Sequence, residues 1–140
     1  MIIADSGFWI ALGSRRDKHH ERAINAARQW SDEGFVTTLP VLTEVVHILA
    51  NRVSAAQANT FVGDIARGAS VVIDMPGSSL HRIETLMLRY SDLPMDLADA
   101  SLVVLAEELN DGRILSTDMR DFAGYRWKNR RPFRNLLIEQ

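Results

Sequence analysis

The segment DLADASLVVLAEELNDGRILSTDMRDF, residues Asp96–Phe122, decides how the chain is read. From Leu97 to Ala106 the only charged residue is Asp99, and apolar side chains fall on nearly every face. A helix that is apolar all round belongs at the centre of a fold. Pro94 reads as the restart of the chain into this helix, and Gly112 as its left-handed stop. Arg113–Thr117 then reads as a short strand with Asp118 at its end. A long central helix feeding a short strand is the second half of a parallel βαβ unit.

The same alternation extends back and forward through the chain. Met1–Ala4 is an apolar run ending in Asp5, Phe35–Thr37 and Ser70–Asp74 are rich in β-branched and aromatic residues, and Phe133–Ile138 is a fifth candidate strand. Helical stretches lie between them. They are Ser6–Leu12, Glu21–Ser31, Val41–Ala50 opened by Pro40, Ala55–Ala66 capped by Ser54 and closed near Gly68, and a segment from Ser78 or Ser79 to Tyr90. The expectation is an α/β fold with a parallel sheet of about five strands. With 140 residues and 46% hydrophobic side chains, the chain suits one domain over residues 1–140 with a real core.

In a parallel sheet, functional groups collect beyond the carboxyl ends of the strands. Asp5 and Asp118 both take that position, and each also reads as a cap for the turn that follows. Glu44 is the only charged residue between Leu39 and Ala50, and Val41 stands where a capping box needs Ser or Thr. A carboxylate in such a helix costs several kcal/mol unless it is paired or holds a cation. Asp99 makes the same argument. Asp96, three residues earlier, shares its face and also reads as a helix cap. Asp121, three residues past Asp118, is a sixth acid that reads either as support for a site or as a turn residue. Acids from two strand ends and two oily helices converge only if something offsets their repulsion. A hard divalent cation with oxygen ligands does so, which points to Mg²⁺ or Mn²⁺. The absence of cysteine excludes a disulfide framework and a thiolate zinc site. His20-Glu21 opens a zinc-protease pattern, but Ile24 stands where its second His belongs.

Charge is nearly balanced at −2, unlike a protein that coats nucleic acid; without the six acids it becomes +4. Fourteen of the sixteen basic residues are arginine, a side chain suited to forked contacts with phosphate. Arg126, Lys128, Arg130, Arg131 and Arg134 crowd one acid-free stretch, with Tyr125 and Trp127 interleaved as candidate stacking platforms for unpaired bases. Arg15, Arg16 and Lys18 form a second basic loop, expected near the mouth of the acidic pocket. Both segments read equally as solvated surface, and the first also as a seat for an acidic protein partner. No stretch has the charged start, apolar run and cleavage site of a leader, and no apolar run reaches ~18 residues. The expectation is a cytoplasmic chain that enters no membrane.

Taken together, Ile2-Ile3-Ala4-Asp5-Ser6, His19-His20-Glu21-Arg22-Ala23, Thr43-Glu44-Val45, Asp96-Leu97-Ala98-Asp99-Ala100 and Ser116-Thr117-Asp118-Met119-Arg120-Asp121-Phe122 resemble, in order and spacing, the PIN-domain ribonucleases. The closest likeness is to the VapC-like toxins of toxin–antitoxin pairs. The resemblance implies a three-layer α/β/α sandwich and a Mg²⁺-dependent endoribonuclease leaving 5′-phosphate and 3′-hydroxyl ends. By position it implies that Asp5, Glu44, Asp99 and Asp118 form the metal-binding catalytic set. Asp96 and Asp121 are further acids at that set, and Ser6 a hydroxyl lining it. It also implies an RNA substrate, an antitoxin partner and a homodimer, with the apolar surface of Ala55–Ala66 a candidate for part of that interface. Gly7-Phe8-Trp9 is bulkier than the family pattern after the first Asp, which bears on pocket shape or on a partner-facing surface.

Two other readings compete. A receiver-like or phosphatase-like domain also puts acids at strand ends, but it needs a late Lys near the phosphate, and the only late one is Lys128. A non-catalytic module binding RNA or protein would keep the pocket idle. No glycine-rich phosphate loop is present, and Asp5-Ser6-Gly7 lacks the context of a serine nucleophile.

Overall fold

The computed structural model describes residues 1–138. Five strands form one parallel sheet: β1 Ile2–Ala4, β2 Phe35–Thr38, β3 Val71–Ile73, β4 Arg113–Leu115 and β7 Arg134–Asn135, in the order β3-β2-β1-β4-β7. The helices are α1 Ser6–Gly13, α2 His20–Gln29, α3 Leu39–Arg52, α4 Ala55–Asp64, α5 Leu80–Arg89, α6 Leu97–Leu109 and the single turn α7 Asp121–Gly124. Two further strands, β5 Arg126–Trp127 and β6 Arg131–Pro132, pair antiparallel as a separate hairpin.

The strand order places the site. From β1 the chain steps to β2 and β3 on one side, then returns past both to β4 on the other. Right-handed crossovers therefore put α1–α4 over one face and α5–α6 over the other. The order reverses between β1 and β4, and a crevice opens there beyond the carboxyl ends of the strands. Asp5 follows β1, and its N–H donates to the Leu115 carbonyl of β4 at 3.0 Å, so the two strand ends are locked side by side.

α6 is the central helix that its composition predicts, with every residue from Ala100 to Ala106 buried. Its one buried hydroxyl is tied down at both ends. Ser101 Oγ donates to the Ala98 carbonyl at 2.7 Å and lies 2.7 Å from Thr38 Oγ1 at the end of β2. That contact fixes the first turn of α6, and hence Asp99, against the sheet.

Four expectations are corrected here. The residue in the left-handed conformation after α6 is Asn110, at φ 53°, rather than Gly112. Gly112 is small for a different reason: a Cβ there would collide with Trp127 Nε1. α6 begins at Leu97 with Asp96 as its cap, so Pro94 precedes the helix rather than opening it. The fifth strand shrinks from Phe133–Ile138 to Arg134–Asn135. Finally, Phe8 and Trp9 shape no pocket or partner surface. Both are buried, with Trp9 packed edge-on against Phe8 and Phe35 and tilted against Phe61.

Candidate active site

Four helices begin around the crevice, and the acids sit at or near their first turns. Asp5 caps α1: its Oδ1 accepts from Ser6 N at 2.7 Å and from Ser6 Oγ at 3.3 Å. Its Oδ2 accepts from Ser116 Oγ at 2.8 Å. Burial pushes the Asp5 carboxyl up to about 6 in spite of these donors. Ser116 also accepts from Asp118 N at 3.0 Å, so one buried hydroxyl joins the two strand ends. Asp118 Oδ1 accepts from Asp121 N at 2.9 Å, which opens α7. Asp96 Oδ1 accepts from Asp99 N at 2.8 Å, and Asp99 Oδ2 from Asp96 N at 3.4 Å, a reciprocal capping box at the start of α6. Each of these aspartates thus takes part in building a helix start while presenting charge to the crevice.

Glu44 does no such structural work. It lies within α3, half-buried, and its carboxyl is raised first by burial and then by the fields of Asp96 and Asp5, with a Ser6 hydrogen bond opposing. Asp99 is raised to about 8, by burial first, then by Asp5 and Asp96. Asp121 is raised to about 6 by desolvation and by its contact with Asp118, with Arg120 pulling the other way. The carboxyls push one another toward the protonated form because each meets the negative field of the others.

Asp5, Glu44, Asp96, Asp99, Asp118 and Asp121 all line one cleft of about 540 Å³, together with Ser6, and no basic side chain is among its lining residues. The acids form walls rather than a closed cage: among the described residues no three are gathered tightly enough to enclose an ion. The donor set is all oxygen and carries excess negative charge, which fits a hard divalent cation.

No basic side chain lines this cleft: the Arg126–Arg134 stretch lies away from it, and the Arg15 loop borders an adjoining groove. The β5–β6 hairpin clasps the far end of α6. Lys128 N donates to Glu107 Oε2 at 2.6 Å, and Lys128 Nζ to Asn110 Oδ1 at 2.7 Å. At a rise of 1.5 Å per residue, that end lies roughly 15 Å from Asp99. Tyr125 and Trp127 are buried and unavailable to stack on bases; Trp127 Nε1 donates to the Pro132 carbonyl at 3.1 Å. Arg130 and Arg131 are exposed on the hairpin, Arg131 lying over the Trp127 ring at 5.1 Å. Arg126 Nη1 donates to the carbonyls of Ala123 and Tyr125, and Arg134 lies on β7 beside Arg113 of β4, at the start of that strand. Arg15 and Arg16 line a separate groove with Arg52 and His20, at the far end of α1 from Asp5, and Lys18 is exposed in the same loop. This groove and the acidic cleft share one wall residue, Ile10.

Two participants hold roles other than those the residues suggest: Ser116 suggests none, and Tyr125 a stacking platform. Ser116 stands two residues before Asp118, a spacing at which a hydroxyl bonds the backbone ahead of it, and that signal was available. Tyr125 OH lies 3.2 Å from Asp99 Oδ2 and 2.8 Å from the Pro94 carbonyl, a contact across 26 residues that no local pattern announces.

The family model for the PIN domain matches residues 2–128. Ribonuclease VapC26 of Mycobacterium tuberculosis is 24% identical over 125 residues, covering 89% of this chain and 92% of that protein. The crystal structure of Mycobacterium tuberculosis VapC20, described as a Sarcin-Ricin loop cleaving toxin, superposes with a TM-score of 0.76 at 19% identity, covering 86% of this chain and 92% of that one.

Proposed function

The chain belongs to the PIN-domain family, and from that premise we propose that it is a divalent-metal-dependent endoribonuclease, the toxin of a cytoplasmic toxin–antitoxin pair. The observation that carries this reading is the convergence of Asp5, Glu44, Asp99 and Asp118 on one cleft at the β1/β4 switch point, with no cation of the protein's own among its lining residues.

In this mechanism Asp5, Glu44, Asp99 and Asp118 hold Mg²⁺ or Mn²⁺, with Asp96 and Asp121 adding to the negative field. Held there, such an ion would supply an acidified water and positive charge against the scissile phosphate. Ser116 and Ser6 fix both oxygens of Asp5, so that carboxylate is preorganised. Asp121 N donates to Asp118 Oδ1, which sets the Asp121 carboxyl beside the proposed ligands, where it or Asp118 would orient or deprotonate the attacking water. RNA phosphates outside the cleft meet the groove lined by Arg15, Arg16 and Arg52, which adjoins it at Ile10. Cleavage is therefore expected to weaken as salt rises.

An antitoxin and a second copy of the chain are the proposed protein partners. For the second copy α5 offers more apolar surface than α4: Leu80, Met87 and Leu88 are exposed there, against Val62 on α4.

The test is cleavage of RNA by the wild type and Asp99→Asn in Mg²⁺ or Mn²⁺, with and without EDTA. Cleavage by the wild type alone, abolished by EDTA, is expected. Cleavage that persists in EDTA, or full activity in the variant, contradicts the mechanism. A wild type that binds the ion and RNA but cuts no RNA points to a binding module.

A further inference from the structure

We propose that Tyr125 is a positioning residue of the acidic cleft, its hydroxyl holding the Asp99 carboxyl and tying together three walls of the site. This rests on the reading of the cleft as a divalent-ion site.

Tyr125 is fully buried just beyond α7. Its ring is clamped edge-on by Tyr90 at 5.1 Å and Phe122 at 5.2 Å, and its backbone N–H donates to the Asp121 carbonyl at 2.9 Å. The hydroxyl is thereby carried to a fixed point between Asp99 Oδ2 at 3.2 Å and the Pro94 carbonyl at 2.8 Å. A phenol has one hydrogen, so these two acceptors share it. The shared bond links α6 through Asp99, the segment before α6 through Pro94, and α7 through the backbone of Tyr125 itself. Pro94, Asp99 and Asp121 all line the cleft.

On Asp99, both donors fall on one oxygen. Oδ2 accepts from Tyr125 OH and from Asp96 N, and among the described residues none falls on Oδ1. The carboxyl plane is held while Oδ1 remains for a ligand. A phenylalanine would pack the same ring but leave Oδ2 with only the 3.4 Å contact to Asp96 N. Hydrogen bonds from such supporting groups typically change metal affinity by about 10–100-fold.

The experiment is a Mn²⁺ titration, followed by calorimetry and by electron paramagnetic resonance, on the wild type, Tyr125→Phe and Tyr90→Phe. Tyr90 touches the same ring, but its hydroxyl accepts from Arg126 N and is not among the cleft's lining residues. Tyr125→Phe is expected to bind Mn²⁺ about tenfold or more weakly and to lose kcat on RNA at unchanged KM. Tyr90→Phe is expected to match the wild type in both. A second measurement needs no substitution at Tyr125. The chain holds two tyrosines, so the fluorine spectrum of protein labelled with 3-fluorotyrosine has two signals, assigned by Tyr90→Phe. Saturating Mg²⁺ is expected to shift the Tyr125 signal and leave that of Tyr90 in place. Equal Mn²⁺ affinity in Tyr125→Phe and the wild type, or a Tyr125 signal unmoved by a bound ion, overturns the assignment of Tyr125 alone. A wild type that binds no Mn²⁺ overturns the reading of the cleft, and this inference with it.

Discussion

The two ends of the sheet treat the same residue types in opposite ways. At the starting ends of the strands, Asp111, Glu33 and Glu107 each have an arginine. Arg113 bonds Asp111 at 2.8 Å and Glu33 at 2.8 Å, and Arg82 grips Glu107 with two bonds of 3.0 and 2.8 Å. Arg113 holds the Asp111 carboxyl below its ordinary value. At the carboxyl ends, Asp5, Glu44 and Asp99 face one another and are raised above theirs. Ample arginine exists in the chain, yet none lines the cleft. Charge pairing at one end builds the fold. Unrelieved charge at the other costs the fold stability and, on the proposed function, is what a bound cation would offset.

The sharpest way to break this contrast is to neutralise one acid at each end. Asp99→Asn should lower RNA cleavage by at least about a hundredfold, since a proposed ligand outweighs its supporting shell. Above about pH 8, where Asp99 is ionised, the same variant should melt higher than the wild type without metal, because a repulsive charge is gone. A lower melting temperature would show that Asp99 is a structural acid after all.

The next effect is on pH dependence. The folded Asp5 carboxyl keeps its proton up to about 6 and that of Asp99 up to about 8, well above the ordinary aspartate value of about 4. Across that window the folded state binds more protons, so stability of the metal-free protein must fall as pH rises. Asp5 alone accounts for about 3 kcal/mol at 1.36 kcal/mol per pH unit. Urea unfolding in EDTA from about pH 4.5 to 8 measures this, and saturating Mg²⁺ should flatten the slope. A metal-free protein that gains stability toward pH 8 contradicts the picture of mutual repulsion.

A smaller effect is expected at the paired end. Glu107→Gln weakens the grip of Arg82 and the bond from Lys128 N, and should cost about 1–2 kcal/mol in urea unfolding. Cleavage per folded molecule should not change. At Gly112, Ala would press on Trp127 Nε1 and cost a similar ~1–3 kcal/mol, again with activity kept.

Much of this was legible in the residues. Asp99 stood out because an acid isolated in an apolar helix demands an explanation, and the alternation of strand and helix led directly to the parallel sheet. What failed was placement along the strand axis. Hydrophobic periodicity reports which face of an element is buried, not which end of the sheet a loop joins. The Arg126–Arg134 stretch lies at the other end of α6 from the acids, which periodicity alone does not report. Arg15 and Arg16 stand past the end of α1, whose eight residues from Ser6 span about 12 Å, so their groove adjoins the cleft at Ile10 without lining it. Tyr125 and Trp127 misled for another reason. Aromatics among arginines look like a nucleic-acid surface, but the β5–β6 hairpin turns both rings inward, with Lys128 and Asn129 in the left-handed region at its tip. Composition does not reveal such a turn when no glycine marks it.

The most direct measurement is calorimetric titration of Mn²⁺ into the wild type, Asp99→Asn and Glu107→Gln near pH 7, in two buffers of different ionisation enthalpy. Saturable binding with release of protons is predicted for the wild type and Glu107→Gln, because occupied carboxylates must give up the protons their burial has kept. Asp99→Asn should bind far more weakly and release fewer protons. Binding by Asp99→Asn that matches the wild type in affinity and proton count would contradict the account at its centre.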